Sequence, residues 1–175
     1  MNEFMQLGIT DTLARLLYKN GIKTPTEIQR AAIPAIFKGR DIVGRSETGT
    51  GKTLAYLLPV MQRVRTDTEN TQVLIMTPTR ELAKQVFQVA GTFAKDMNID
   101  VTDVIGGRTI ENQIQKLKRD PHIVIGTPGR LLDHLKRRTL DISNARIVVL
   151  DEADQMLAAG FREDIDALIL SLIHI

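Results

Sequence analysis

The stretch DIVGRSETGTGKTLAYLLPVMQRV, Asp41–Val64, decides how the rest of the chain is read. A short apolar run, DIVGR, leads into SETGTGKT (Ser46–Thr53), and an amphipathic run, KTLAYLLPVMQRV, leads out. The order is strand, glycine-bearing loop, helix, which is the setting of a phosphate-binding loop with the pattern G-x-x-x-x-G-K-[ST]. Ser46 stands where the first glycine of that pattern belongs; a serine is small and needs only an allowed φ. Gly49 and Gly51 permit the backbone conformations that turn successive N–H groups inward around an anion. Lys52 is placed to reach β- and γ-phosphates, and Thr53 to offer its hydroxyl to Mg²⁺.

Four further apolar runs follow: QVLIM (Gln72–Met76), VTDVI (Val101–Ile105), HIVIG (His122–Gly126) and RIVVL (Arg146–Leu150). They are short and mostly rich in Val and Ile, as buried strands are. Helical stretches such as RELAKQVFQVAGTFAK and RLLDHLKRR lie between them. With DIVGR this predicts a five-stranded α/β domain, a parallel sheet with helices on both faces. Ahead of the sheet, DTLARLLYKN sets Leu13, Leu16 and Leu17 on one helical face. TPTEIQRAAIPAIF predicts a helix with Thr24 as N-cap, Pro25 at its first position and Glu27 completing a capping box, which Pro34 should kink or divide. Pro59 predicts a kink in the helix after Lys52.

Thr-Pro occurs three times, at Thr24-Pro25, Thr77-Pro78 and Thr127-Pro128. Each pair predicts a helix start, and the last two directly follow strands. Strands of a parallel sheet end on one edge, so these starts and the Lys52 loop are expected to share it, as a row of anion sites. The plainer alternative is that Thr-Pro simply caps helices well. RIVVL ends in Asp151-Glu152-Ala153-Asp154. A phosphate loop needs an acid for its metal at the end of a neighbouring strand, and Asp151 stands there. Glu152 is placed to orient or deprotonate a water. An acidic helix N-terminus would account for one such carboxylate but less well for three.

The whole composition is compatible with this reading. The chain has 175 residues, is 43% hydrophobic and carries a net charge of only +2, so it suits one core and permits a nucleic-acid partner without arguing for one. Without cysteine it forms no disulfide or thiolate metal site. Aromatics are 4%, too few for a broad base-stacking platform. No apolar run is long enough for a bilayer, and a cytoplasmic protein is expected. His122, His134 and His174 show no metal-ligand spacing and read as structural or surface residues. Lys136–Arg138 suit a helix C-terminus better than an RNA contact. Met61, Met76 and Met156 read as core.

Together these segments resemble the DEAD-box ATP-dependent RNA helicases. The resemblance rests on DEAD at Asp151–Asp154, SETGTGKT upstream, GIKTPTEIQ (Gly21–Gln29) as the family's Q motif, PTRELAKQ (Pro78–Gln85), Gly106-Gly107 and TPGR (Thr127–Arg130). It runs from Phe4 to about Asp166. It implies the N-terminal RecA-like, P-loop domain of such an enzyme, with ATP and Mg²⁺ as cofactors and RNA as sequence-independent partner. Gln29 would bond the adenine edge, Phe4 would stack on the ring, and Lys23 belongs to the same nucleotide-facing motif. Ser46, Thr48, Gly49, Thr50, Gly51, Lys52 and Thr53 would hold the phosphates. Thr53 and Asp151 would serve Mg²⁺, Glu152 would activate water, and Asp154 would couple the site to the rest of the machine. Pro78, Thr79, Arg80, Gly107, Thr127, Gly129 and Arg130 would touch RNA phosphates and sugars.

Two departures accompany the resemblance. Ile22 stands where the Q motif more often has an aromatic, and the closing SLIHI fits the family pattern poorly, as an interrupted element would. The family's Ser-Ala-Thr motif and second RecA-like domain do not occur in the 175 residues. The expected organisation is a helical segment at 1–39 with the Q motif and an ATP-binding domain at 40–175. Two other readings stay open: a binding module without turnover, and a DNA-directed helicase or another P-loop ATPase.

Overall fold

The computed structural model describes residues 2–107 and 109–173. The chain forms two compact units, Met1–Arg63 and Val64–Ile175.

The first unit is helical. It contains α1 (Glu3–Gln6), α2 (Asp11–Lys19), α3 (Glu27–Phe37) and α4 (Lys52–Arg63). Leu13, Ala14 and Leu17 form the buried stripe of α2, with Leu16 half-buried beside them. Helix α3 packs on α4. Gln62 ties the loop after α1 to α4, accepting from Thr10 N at 2.9 Å and donating to Gly8 O at 2.8 Å. Pro34 does not divide α3, and α4 also runs without interruption through Pro59; each proline removes a single N–H, which neighbouring turns tolerate.

One expected strand is absent. Asp41–Arg45 makes no ladder hydrogen bonds, and Val43 is fully exposed. Its apolar content is only Ile42 and Val43, and Gly44 has no side chain to pack, so the segment carries little strand preference of its own.

The second unit carries the sheet. Its elements are β1 (Val73–Met76), α5 (Arg80–Ala94), a 3₁₀ turn (Lys95–Met97), β2 (Val101–Val104), α6 (Ile110–Leu117), β3 (Ile123–Gly126), α7 (Pro128–Lys136), β4 (Ile147–Leu150), α8 (Ala153–Ala158) and α9 (Arg162–Ile173). Among the described residues the sheet has four strands, ordered β2-β3-β1-β4 and all parallel. Leu74 registers with Val124 and Val148, and Met76 with Gly126 and Leu150.

From β1 to β2 the chain moves in one direction across the sheet; from β2 to β3 and from β3 to β4 it moves back. Right-handed crossovers then put α5 on one face and α6 and α7 on the other. The side chains agree with this. Leu74, Met76, Val104 and Val124 share a cluster with Leu117 of α6, Leu131 and Leu132 of α7, and Leu168 of α9. The alternate strand positions Val73, Ile75, Ile123 and Ile125 are equally buried, as are Ala83, Val86, Ala90 and Phe93 of α5. The expected parallel α/β sheet with helices on both faces is therefore present.

Helix α9 continues through Ser171–Ile173, so the SLIHI segment is not an interrupted element up to that point; His174 and Ile175 lie outside the described residues. No helix among the described residues is long and apolar enough to cross a membrane.

Candidate functional site

In the first unit the Lys52 loop closes on itself. Lys52 Nζ donates to Ser46 O at 2.7 Å, Ser46 and Thr50 hydroxyls are 2.7 Å apart, and Thr50 Oγ1 donates to Glu47 O at 2.7 Å. Gly49 and Gly51 both take positive φ, at 80° and 92°, a backbone that an L side chain adopts only at a cost. Gly51 is further constrained, because a Cβ there would lie 2.5 Å from Gln29 Nε2. Ser46 and Thr50 thus supply a side-chain brace across the loop, and Lys52 must release a carbonyl to reach a phosphate.

Gln29 joins this loop to the start of α3. It is 2% exposed. Its Oε1 accepts from Thr26 N and its Nε2 donates to Gly51 O, each at 3.0 Å. Thr26, not Thr24, is the N-cap, and Gln29 fills the role expected of Glu27. Lys23 lies 5.6 Å from the ring centroid of Tyr18. Phe4 is fully enclosed and packs within α1 and its surroundings.

The second unit carries a groove of about 580 Å³ lined by Pro78, Thr79, Arg80, Gly106, Thr127, Gly129 and Arg130. Two helix starts open onto it. Thr79 is the N-cap of α5, its Oγ1 accepting from Leu82 N at 3.1 Å, and Thr127 is the N-cap of α7, with Pro128 next. The cap is Thr79, not the expected Thr77, whose N donates to Gly126 O and whose hydroxyl donates to Thr79 O, each at 3.0 Å. The Arg80 guanidinium lies against the Gly106-Gly107 turn, so close that a Cβ on Gly107 would sit 2.5 Å from Nη1. Gly107 is exposed at this turn.

The groove has mixed charge. Glu81 and Asp133 line it together with Arg80 and Arg130. Arg130 Nη1 lies 3.7 Å from Asp133 Oδ2, and Arg137 Nε donates to Asp133 Oδ1 at 2.8 Å. The hydrogen bond from Arg137, helped by Arg130, holds the Asp133 carboxyl below the usual carboxylate range. Sequence reasoning passed over Asp133, Glu81 and Phe161 as groove residues; the signal for Asp133 was its i+3 spacing from Arg130 on a helix.

Asp151 directly follows β4 and is buried, with its backbone N donating to Met76 O at 2.9 Å. Glu152 follows as N-cap of α8 in the left-handed conformation, φ 54°. Asp154 is exposed in the first turn of α8. A buried strand-end carboxylate and a threonine hydroxyl are hard oxygen donors. Each is by itself a donor of the kind Mg²⁺ takes, an ion that uses one or two protein oxygens and completes its shell with water and phosphate.

His122 and His134 are both buried and structural. His122 Nδ1 accepts from Asp100 N at 2.9 Å, with Thr68 O 3.1 Å from Nε2. His134 Nε2 is 2.9 Å from Gln113 Oε1 and Nδ1 is 2.9 Å from the Thr139 hydroxyl. Burial, and then the Arg130 charge, pushes the His134 imidazole below its ordinary value.

Comparison with known proteins agrees with this assembly of parts. The DEAD/DEAH box helicase family model matches residues 26–174. A DEAD-box ATP-dependent RNA helicase CshA from Bacillus cereus is 44% identical over 169 residues, 97% of this chain and 32% of that protein. An ATP-dependent RNA helicase DeaD from Buchnera aphidicola is 42% identical over 170 residues, 97% of this chain and 28% of that protein. The crystal structure of a DEAD box protein from the hyperthermophile Methanococcus jannaschii superposes with a TM-score of 0.90 at 36% identity, covering 97% of this chain and 46% of that one. The chain spans about a third of the length of the curated relatives it matches.

Proposed function

We propose, from the premise that this chain belongs to the DEAD/DEAH box helicase family, that it forms the ATP-binding and RNA-backbone-binding half of an ATP-dependent RNA helicase. The observation that carries the RNA half is the groove. Two helix N-termini, a glycine turn and two arginines line one cavity, which is a set of donors for phosphates and sugars with no requirement for a base edge. The ATP half rests on the Lys52 loop, its bond to Gln29, and the buried acid at the end of β4.

The roles are those the family resemblance implies. Lys52 and the N–H groups of Thr48–Thr53 hold phosphates, and Gln29 meets the adenine edge, with Lys23 on the same side. Phe4 shapes that side from within and stacks on the ring only if α1 shifts. Thr53 and Asp151 would hold Mg²⁺, which when bound supplies positive charge to the phosphate oxygens. Glu152 takes a proton from the attacking water, or orients it. Asp154, exposed, couples these groups to neighbouring motifs. Arg80 and Arg130 pair with RNA phosphates.

A phosphoryl-transfer transition state also needs positive charge from an arginine, worth about 10³–10⁵ in rate, and we assign that arginine to a second RecA-like domain of the parent chain. The protein is expected to work in the cytoplasm.

The test is phosphate release by residues 1–175, with and without RNA, and again with a second RecA-like domain added in trans. Slight release alone and RNA-stimulated release with the added domain are expected. Full RNA-stimulated turnover by these residues alone would refute the division of labour. Stronger stimulation by strands lacking the 2′-OH would favour a DNA-directed enzyme instead.

A further inference from the structure

Behind the groove, on the core side, lies a hydrogen-bonded chain of three elements. Gln113 of α6 is 1% exposed and His134 of α7 is 0% exposed. Gln113 Nε2 donates to Ile105 O at 2.6 Å, reaching back eight positions. Its Oε1 lies 2.9 Å from His134 Nε2. Because the amide nitrogen is spent on a carbonyl, which only accepts, the amide oxygen must face the imidazole. His134 therefore carries a proton on Nε2; the Thr139 hydroxyl lies 2.9 Å from Nδ1 and 3.1 Å from the His134 carbonyl, and its single proton serves one of the two.

The two ends of this chain matter. Ile105 immediately precedes Gly106-Gly107, the turn on which Arg80 rests. His134 sits on the same helix as Thr127, Gly129 and Arg130. The link thus joins the glycine turn to the opposite wall of the groove, and it closes the loop between β2 and α6. A buried glutamine and histidine cost desolvation that an apolar pair of equal volume would avoid. What an apolar pair cannot supply is direction: a hydrogen bond fixes distance and angle where dispersion contacts fix only volume.

We propose that Gln113 and His134 are positioning residues for RNA-backbone binding, setting the spacing between the Gly106-Gly107 turn with its Arg80 and the N-terminus of α7 with its Arg130. This rests on the reading of the groove as an RNA site. The two residues touch no ligand themselves; they act through the Ile105 carbonyl and through α7.

The test measures affinity of a labelled oligouridylate by fluorescence anisotropy, at a temperature where circular dichroism shows every variant folded. Gln113→Met keeps the volume and removes both hydrogen bonds; His134→Leu removes the donor. Each should weaken binding about tenfold, within the range for residues coupled through one network. His134→Gln offers an amide N–H to Gln113 Oε1 and should restore most of the loss. The cycle of Gln113→Met with Arg80→Ala carries the decision. If Gln113 positions Arg80, the cost of Arg80→Ala shrinks in the Gln113→Met background, whereas a residue that only holds the fold gives additive losses.

Affinities within twofold of the unmutated chain, or an additive cycle, would overturn the proposal. A His134 ring found by ¹⁵N NMR to carry its proton on Nδ1 would also overturn it, even if His134→Leu does not fold. Arg130→Ala is the separate control. If it leaves binding unchanged while the Gln113 variant weakens it, the RNA reading of the groove is wrong and this proposal falls with it. If Arg130→Ala weakens binding and the Gln113 variant does not, only this proposal falls.

Discussion

Replacing Gln29 by alanine separates two jobs that its amide performs. An amide offers two N–H donors and two acceptor lone pairs. One donor is committed to Gly51 O and one lone pair to Thr26 N, both at 3.0 Å. The remaining N–H and lone pair are what an adenine edge requires, donating to N7 and accepting from the N6 amine. The internal pair of bonds should contribute about 1–3 kcal/mol to stability, at roughly 0.5–1.5 each. The external pair should discriminate ATP from GTP by roughly 1–3 kcal/mol, because guanine presents O6 where the amide oxygen expects a donor. That is about 5- to 150-fold in relative affinity.

Gln29→Ala should therefore lower the urea midpoint and also collapse the ATP/GTP ratio toward one. The assay is competition of ATP and GTP against a fluorescent ADP analogue, well below the unfolding transition. Gln29→Glu is the informative partner, since it still accepts from Thr26 N but turns an acceptor toward Gly51 O and toward N7. A Gln29→Ala protein that is destabilised yet keeps the original ATP/GTP ratio would refute the base-reading role and leave Gln29 as a cap for α3 alone. Equal ATP and GTP affinity in the unmutated chain would refute it outright.

Further outcomes are expected at the other groups. In the enzyme carrying both RecA-like domains, Lys52→Ala should weaken ATP binding, whereas Glu152→Gln should keep binding and lose hydrolysis; near-normal turnover in Glu152→Gln removes that residue from its role. Arg80→Ala should weaken every single strand alike and flatten the salt dependence of RNA binding by roughly one unit; a loss confined to one base sequence would contradict backbone recognition. Stability should fall on acidification because of His134. Its folded value is depressed, so between that value and the ordinary ~6.5 the unfolded chain binds the extra proton and stability rises with pH. Its contribution is complete above that window and declines as pH drops through it, so urea midpoints at pH 7.5 and 5.5 should differ less in His134→Gln than in the unmutated chain.

The parallel sheet was legible because three of its four strands, β1, β3 and β4, are dense in Val, Ile and Leu, and the burial of β1 and β3 on both faces demands that. DIVGR was misread because Asp, Gly and Arg occupy three of its five positions, and such a segment becomes a strand only if a partner ladder imposes it. The helix starts show how local rules compete. Thr24-Pro25-Thr26 and Thr77-Pro78-Thr79 each offer two candidate caps, and in both the second threonine caps. At the first, the Gln29 bond to Thr26 N fixes the start; at the second, the Thr77 hydroxyl is occupied as a donor to Thr79 O while the Thr79 hydroxyl accepts from Leu82 N. Thr127-Pro128 is followed by glycine, so no rival existed and the expectation held. The groove's cationic and glycine residues were expected from the family resemblance. Its acidic wall and the Gln113–His134 link were not, because they depend on which helix faces lie against one another.

The left-handed backbone at Glu152 bears on how substitutions there are chosen. A glutamine bears the same conformational cost as the glutamate, on the order of 1–2 kcal/mol, so a comparison of the two isolates the carboxylate's chemistry. Valine or isoleucine would add a clash between a branched Cβ and the main chain, and glycine or asparagine would relieve a cost the native residue sustains. A saturation library at this position would therefore mix two independent quantities, and a glycine or asparagine variant could be sturdier and inert at once. Ranking such a library by soluble yield would select for the wrong property.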